Sequence, residues 1–349
     1  MEADEAEKRI AQSGLVIRDE ELTGYVHSVL CRTVGEDRCE SVRIYVMRVP
    51  SFNASMRPNG MMEVWSGLLL RVRNEAELAA VLGHEFAHFE LRHSLVGFKN
   101  RRKTTDLTAW LSVLGGLLNQ STRDTRISLV GSFSRFNRGQ ERQADLLGLK
   151  YLGQSEYPSR AASVVWQRLM EEEDARLLGR KVKKRRRYKA GFFDSHPTQL
   201  DRADYLLDAS MKIGDRGDTQ SARYYKNLGD NLAWMLKDEI LLNQFHGSDY
   251  VIGGIASETG WTTHLLSARA EMYRVRGNPR DLVTASSLYL EAIDAGADDP
   301  EILRGLGLSL VKTGKRAEAV PYLKRYLERV PDAEDAGIIR FYLPREIVE

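Results

Sequence analysis

His84-Glu85-Phe86-Ala87-His88 sets two imidazoles four residues apart, inside a stretch, 74–93, whose apolar positions keep a 3.6-residue period. Positions four apart on a helix lie about 40° apart around the axis and one turn along it, so both rings face one point. They can share one metal ion. Glu85, beside the first imidazole, can reach a water at that metal without binding the ion itself. Zinc lowers the pKa of such a water to about 7, and a glutamate can then take its proton as the water attacks a peptide carbonyl. A helix with two solvated or core-satisfied histidines is the plainer alternative.

A catalytic zinc takes three protein ligands and keeps one position open. The third ligand must come from another element. Glu141-Arg142-Gln143-Ala144-Asp145 again puts two acidic side chains four apart on one helical face. Glu141 is the expected third ligand, completing the set His84, His88 and Glu141 for one Zn2+ per chain. Asp145, one turn on, is expected to accept a hydrogen bond from the far nitrogen of a ligand histidine and fix its tautomer. Without the upstream motif, the same pair would read as an acidic patch on a solvated face. His93, five residues beyond His88, falls about 140° round a continuing helix and is expected to point away from the metal.

Around this helix the pattern predicts a helix over 14–35, a strand over 42–49, a turn-rich loop over 52–60 and a strand over Met61 to Trp65. Helices are expected over 104–119, 124–152 and 159–178. The fold class is therefore α+β and mostly helical, with a small sheet. At about 150 residues per domain, 349 residues suggest two domains. A net charge of +2 leaves no global field to hold nucleic acid. The basic run 180–189 has no aromatic interleaving beyond Tyr188, so no nucleic-acid partner is expected. That run reads as a solvated loop, with a positively charged flap for acidic substrates or anionic lipid headgroups as the alternative. The longest nearly uncharged apolar stretch, Leu107 to Leu118, is too short to span a bilayer, so no transmembrane segment is expected and any membrane contact would be peripheral. No signal peptide is visible, which leaves open a cytosolic chain or a mature one. Cys31 and Cys39 are compatible either with a disulfide tying helix to strand or with two reduced buried thiols.

The last third changes character. Ala285, Tyr289 and Ala292 repeat as Ala319, Leu323 and Tyr326 at an offset of 34, the period of tetratricopeptide repeats. The expected division is a metalloprotease domain over 1–215 and an all-α repeat domain over 216–349, the latter holding protein partners or substrates. An unrelated helical bundle is the alternative.

Four motifs in order resemble the M48 zinc metallopeptidases, which are gluzincins. Asn53-Ala54-Ser55-Met56-Arg57-Pro58-Asn59-Gly60 leads into Met61 to Trp65. The HExxH helix follows, then Glu141 to Asp145, then Ser195-His196-Pro197 with Arg202. The resemblance covers roughly residues 15–207 and implies a zinc endopeptidase acting on proteins or peptides. It carries over His196 as a group that stabilises the developing oxyanion, while Ser195-His196-Pro197 also reads as an ordinary helix start. It makes Arg202 a supporting cation at the site. It further implies that Asn53 and an edge strand of Met61, Met62, Glu63, Val64 and Trp65 hold an extended substrate by backbone pairing. A soluble M48 domain followed by repeats is similar to periplasmic members that handle misassembled envelope proteins. That similarity favours periplasm over cytoplasm and a Cys31–Cys39 bond. A latent or gated protease acting mainly as a chaperone or assembly factor is the second reading. In it, 101–121 or the basic run covers the site, or His246 supplies a fourth ligand.

Overall fold

The computed structural model describes residues 2–93, 138–180 and 199–344. The chain is mostly helical α+β, with sixteen helices and a three-stranded sheet among the described residues. The expected helix over 104–119, residues 124–137 of the next one, His196 and all but the first residue of the basic run lie outside the described residues.

Three helices precede the sheet, the first two being α1 (Glu2–Ala11) and α2 (Glu20–Val34). The Asp19 side chain caps α2 by accepting the Leu22 N–H at 2.9 Å, which satisfies one of the free donors of its first turn. The short α3 (Glu36–Cys39) follows Gly35, whose φ of 99° suits glycine. Neither α1 nor α3 was expected from periodicity. Long-range contacts hold α1: Ile10 packs on Met47 and Met61, and Glu7 pairs with Arg43 at 2.6 Å.

The strands are β1 (Arg43–Met47), β2 (Ala54–Met56) and β3 (Met61–Trp65), in the order β1-β3-β2. β1 and β3 run parallel, while β2 and β3 form an antiparallel hairpin. Two expectations need correcting. The loop over 52–60 contains β2, because the turn at Arg57 to Gly60 folds that segment back onto β3. Gly60 N–H donates to Arg57 O at 3.0 Å, and Arg57 N–H donates to Met61 O at 2.8 Å. Met61, Met62, Glu63, Val64 and Trp65 do not form an edge strand: β3 is central, both of its sides are paired, and its first four residues are buried. The edge beside the candidate site is β2. Asn53 supports this hairpin, its carbonyl accepting the Trp65 N–H at 3.0 Å.

After α4 (Ser66–Arg71) comes the helix that carries the HExxH motif, α5 (Glu75–Glu90). Asn74 caps it, accepting the Glu77 N–H at 2.9 Å. Two buried carboxylates fix its start. Glu75 accepts from Tyr157 and Arg223 at 2.9 and 2.7 Å, and Glu77 accepts from Arg168 at 2.9 Å. The partner helix α6 (Arg138–Gln154) lies along α5, followed by α7 (Ala161–Gly179), α8 (Gln199–Ile213) and α9 (Ser221–Leu228).

The chain forms two compact units. Of the described residues, 2–171 and 199–227 belong to the first, 172–180 and 228–344 to the second. The first unit thus runs past residue 215, because Arg223 reaches Glu75 and the Tyr224 hydroxyl donates to Leu69 O. The second contains α10 (Asn231–Leu241), α11 (Phe245–Thr259), α12 (Thr263–Arg276), α13 (Pro279–Asp294), α14 (Pro300–Lys312), α15 (Arg316–Arg329) and α16 (Ala336–Phe341). Its core gathers Ala285, Tyr289, Ala319, Leu323 and Tyr326, five of the six positions related by the 34-residue offset. Among the described residues, no helix is long and apolar enough to cross a membrane.

Candidate metal centre

α5 and α6 meet where neither has a side chain in the way. A Cβ on Gly148 would lie 2.9 Å from the His84 backbone nitrogen, so only glycine permits this approach. Glu141, two turns earlier on α6, is thereby brought opposite the two histidines.

The donor atoms converge. His84 Nε2 and His88 Nε2 are 3.1 Å apart, and each lies 3.7 Å from an oxygen of Glu141. A tetrahedral ion with bonds of about 2.0–2.1 Å has ligand–ligand edges of about 3.3 Å. Two imidazoles and a carboxylate at this spacing fit zinc, with a fourth position left over. Among the described residues, no further His, Cys, Asp or Glu joins the group. His246 stands in the second unit, its ring against Gly179.

Both imidazoles are oriented from behind. His84 Nδ1 donates to Asp145 Oδ1 at 2.8 Å, which leaves Nε2 for the ion. Asp145 also takes Arg202, at 2.9 Å from Nε and 2.5 Å from Nη2, and the Tyr205 hydroxyl. The Arg202 guanidinium lies over the Trp166 ring, 3.6 Å from its centroid, and its Nη1 is 3.6 Å from Glu141 Oε2. Burial opposes the charge on Asp145, yet Arg202 and His84 hold the carboxyl well below its usual range. Burial, the largest single influence, also opposes charge on His84, but the Asp145 carboxylate together with Glu85 tips the balance and raises the imidazole.

His88 is served by His93, contrary to the expectation that His93 points away. The helix stops at Glu90, and Arg92 takes a φ of 53° that turns the chain back. His93 Nδ1 therefore comes to 2.9 Å from His88 Nδ1, while its Nε2 lies 3.2 Å from Gln143 Oε1. The network assigns the protons: His93 Nε2–H donates to Gln143, His93 Nδ1 accepts from His88 Nδ1–H, and His88 Nε2 keeps its lone pair toward the site. Burial and the neighbouring His84 push the His88 pKa down to about 2, so the ring is neutral and ready to ligate.

Glu85 follows His84 on α5, is partly buried, and feels the charges of Glu141 and Arg202. Burial, reinforced by Glu141, pushes its carboxyl up to about 7, opposed by His84, Arg202 and a hydrogen bond from the Met56 backbone. That last contact ties the proposed base to strand β2. Sequence reasoning missed His93, Gln143, Trp166 and Tyr205. A histidine just past the helix end was the one local signal, and the others had none.

The model of peptidase family M48 matches residues 18–210. The chain belongs to peptidase family M48. Its M48 region is 32% identical over 199 residues to the mitochondrial metalloendopeptidase OMA1 of Schizosaccharomyces pombe, covering 54% of this chain and 55% of that protein. The OMA1 of Arabidopsis thaliana is 33% identical over 174 residues, 49% of this chain and 32% of that protein. The beta-barrel assembly-enhancing protease of Yersinia pestis is 28% identical over 178 residues, 47% and 36%. The M48 chain thus spans about half of the first relative and about a third of the other two.

Proposed function

We propose that this protein is a zinc-dependent endopeptidase of envelope or membrane-protein quality control, acting on protein or peptide substrates. The convergence of His84, His88 and Glu141 is the observation that carries the reading. When bound there, zinc supplies Lewis acidity toward water and toward the scissile carbonyl.

The chain's own residues do the rest. Glu85 accepts the proton of the attacking water and delivers it to the leaving amine, and burial, which opposes its charge, favours a carboxyl that can take that proton. Asp145 and His93 keep Nε2 of each ligand imidazole turned inward. β2 pairs only with β3 among the described residues, and its outer edge is where an extended substrate adds by backbone hydrogen bonds. Asn53 and the β3 residues then act by holding β2 in place. His196 is proposed, from its motif, as the donor to the developing oxyanion, and Arg202 as the cation that supports Asp145.

The helical hairpins of the second unit are proposed as tetratricopeptide-like repeats that hold protein partners, supported by the buried 34-residue offset positions. A periplasmic or similarly oxidising location is supported by the disulfide between Cys31 and Cys39. The names of the relatives, one set mitochondrial and one concerned with beta-barrel assembly, support quality control at a membrane.

Zinc content and casein cleavage of the wild type and Glu85→Gln test the reading. One zinc in each, with cleavage by the wild type alone, is expected. Wild type purified without chelator and lacking metal would overturn the site.

A further inference from the structure

Away from the metal centre, the C-terminal half of α2 and the short α3 bring another set of soft donors together. Cys31 and Cys39 form a disulfide with a Cα–Cα distance of 5.2 Å, and both are buried. His27, one turn before Cys31, brings its ring against Cys31 Sγ. His27 Nδ1 is 3.5 Å from Cys31 Sγ, and Nε2 is 3.3 Å from the carbonyl oxygen of Cys39. A carbonyl only accepts, so Nε2 carries the proton and donates, which leaves the lone pair of Nδ1 facing Cys31 Sγ. An imidazole with one nitrogen pinned to a carbonyl and the other bare is how proteins prepare a metal ligand. Glu36 Oε2, on exposed α3, lies 3.9 Å from Cys39 Sγ.

We propose that His27, Cys31 and Cys39, with Glu36 in the fourth position, form a thiol-gated second zinc site that is closed while the disulfide stands and opens on its reduction. The donor atoms of the three main ligands already lie within 4.8 Å of one another. A tetrahedral zinc with bonds of about 2.3 Å to sulfur and 2.0–2.1 Å to nitrogen needs a sulfur–nitrogen edge of about 3.6 Å and a sulfur–sulfur edge of about 3.8 Å. The first is met at Cys31, whose Sγ lies 3.5 Å from His27 Nδ1. The second needs only side-chain rotation, since the backbone positions are already close. Thiolate ligands favour zinc over calcium or magnesium.

The chemistry balances with a dithiol as reductant. Its two sulfurs pass two electrons and two protons to the Cys31–Cys39 bond, which breaks to two thiols, while the dithiol closes to its own disulfide. On binding zinc, each thiol releases its proton to solvent and forms a sulfur–metal bond. Burial of both sulfurs means that α3 must open for the reductant to enter; its Glu36 and Asp37 are exposed, while Arg38 rests over the Tyr151 ring, 5.3 Å from its centroid, and must leave it.

The test compares the full chain, oxidised and reduced. Reduction uses a water-soluble phosphine, removed under anaerobic conditions, so that no thiol competes for metal. The probes are Zn2+ alone, titrated against a chromophoric chelator, and Co2+ alone, read by its thiolate charge-transfer bands. One additional ion per chain in the reduced form, with those bands, is expected. Oxidised protein and reduced His27→Ala, which retains both cysteines, should lack it, as should Cys31→Ser/Cys39→Ser. No additional ion in the reduced wild type would overturn the proposal. So would an additional ion without thiolate bands, or one bound equally by reduced His27→Ala. Metal at His84, His88 and Glu141 is counted in the oxidised form, so failure there remains distinguishable.

Discussion

The backbone of Gly148 meets that of His84 with no room for a methyl group, a Cβ there falling 2.9 Å from His84 N and 3.0 Å from its Cα. Backbone cannot swing aside as a long side chain does, so Gly148→Ala must push α6 away from α5. Glu141 moves with α6. The variant should lose about 1–3 kcal/mol of stability to overpacking and bind zinc more weakly, with secondary structure unchanged. Thermal melts and a zinc competition titration check both; wild-type affinity would show that Glu141 does not depend on this crossing.

Asp145→Asn keeps the volume but removes the charge shared by His84, Arg202 and Tyr205. Zinc affinity should fall by about 10–100-fold, as it does when groups that orient metal ligands are lost. The buried Arg202 is left without its main counter-charge, which should cost about 3–5 kcal/mol. Zinc titration and chemical denaturation of the same sample separate the two effects.

His93 acts on the other imidazole. His93→Ala should weaken zinc binding by about tenfold, because His88 loses the acceptor that sets its tautomer, while His93→Gln, which can still accept, should recover part of it. Isothermal titration of both variants gives the comparison. Equal affinities for the two would mean that His93 only fills space.

In the second unit, Asp281 closes the capping box of α13 and accepts Arg276 at 2.6 and 2.8 Å. Arg276, aided by Asn278, holds the carboxyl below its ordinary value of 3.8. Since the folded pKa is the depressed one, the stabilisation is fully present above the unfolded pKa and disappears as pH falls through the folded value. Asp281→Asn should cost about 1 kcal/mol at neutral pH and less at about pH 2, below the ordinary value of 3.8. Melting curves at both pH values decide this: an equal deficit at each would assign the effect to packing rather than charge.

Short-range periodicity made part of this molecule legible. The 3.6-residue repeat placed His84, Glu85 and His88 on one helix, which runs close to where the pattern puts it, and Glu141 and Asp145 sit on another, whose described part ends within two residues of the expected end. Strand β2 escaped because three residues inside a turn-rich segment carry almost no periodic signal; only pairing with β3 makes them a strand. The return of His93 escaped for a related reason, since the end of α5 depends on Arg92 adopting a left-handed conformation that nothing in its type requires.

The sequence by itself determined the chemistry on offer: two imidazoles and an adjacent glutamate on one helical face, an acidic pair on another, and motifs in the order of peptidase family M48. Those features are local, and backbone geometry alone aligns residues three or four apart. The tertiary structure decided which strand is left at the sheet edge among the described residues, what orients His84 and His88, and that Cys31 meets Cys39. Asp145 and Arg202 are 57 residues apart, and His93 and Gln143 are 50 apart. Such contacts exist only once α5, α6, α7 and α8 have packed, so they follow from the shape of the assembled core rather than from any run of residues.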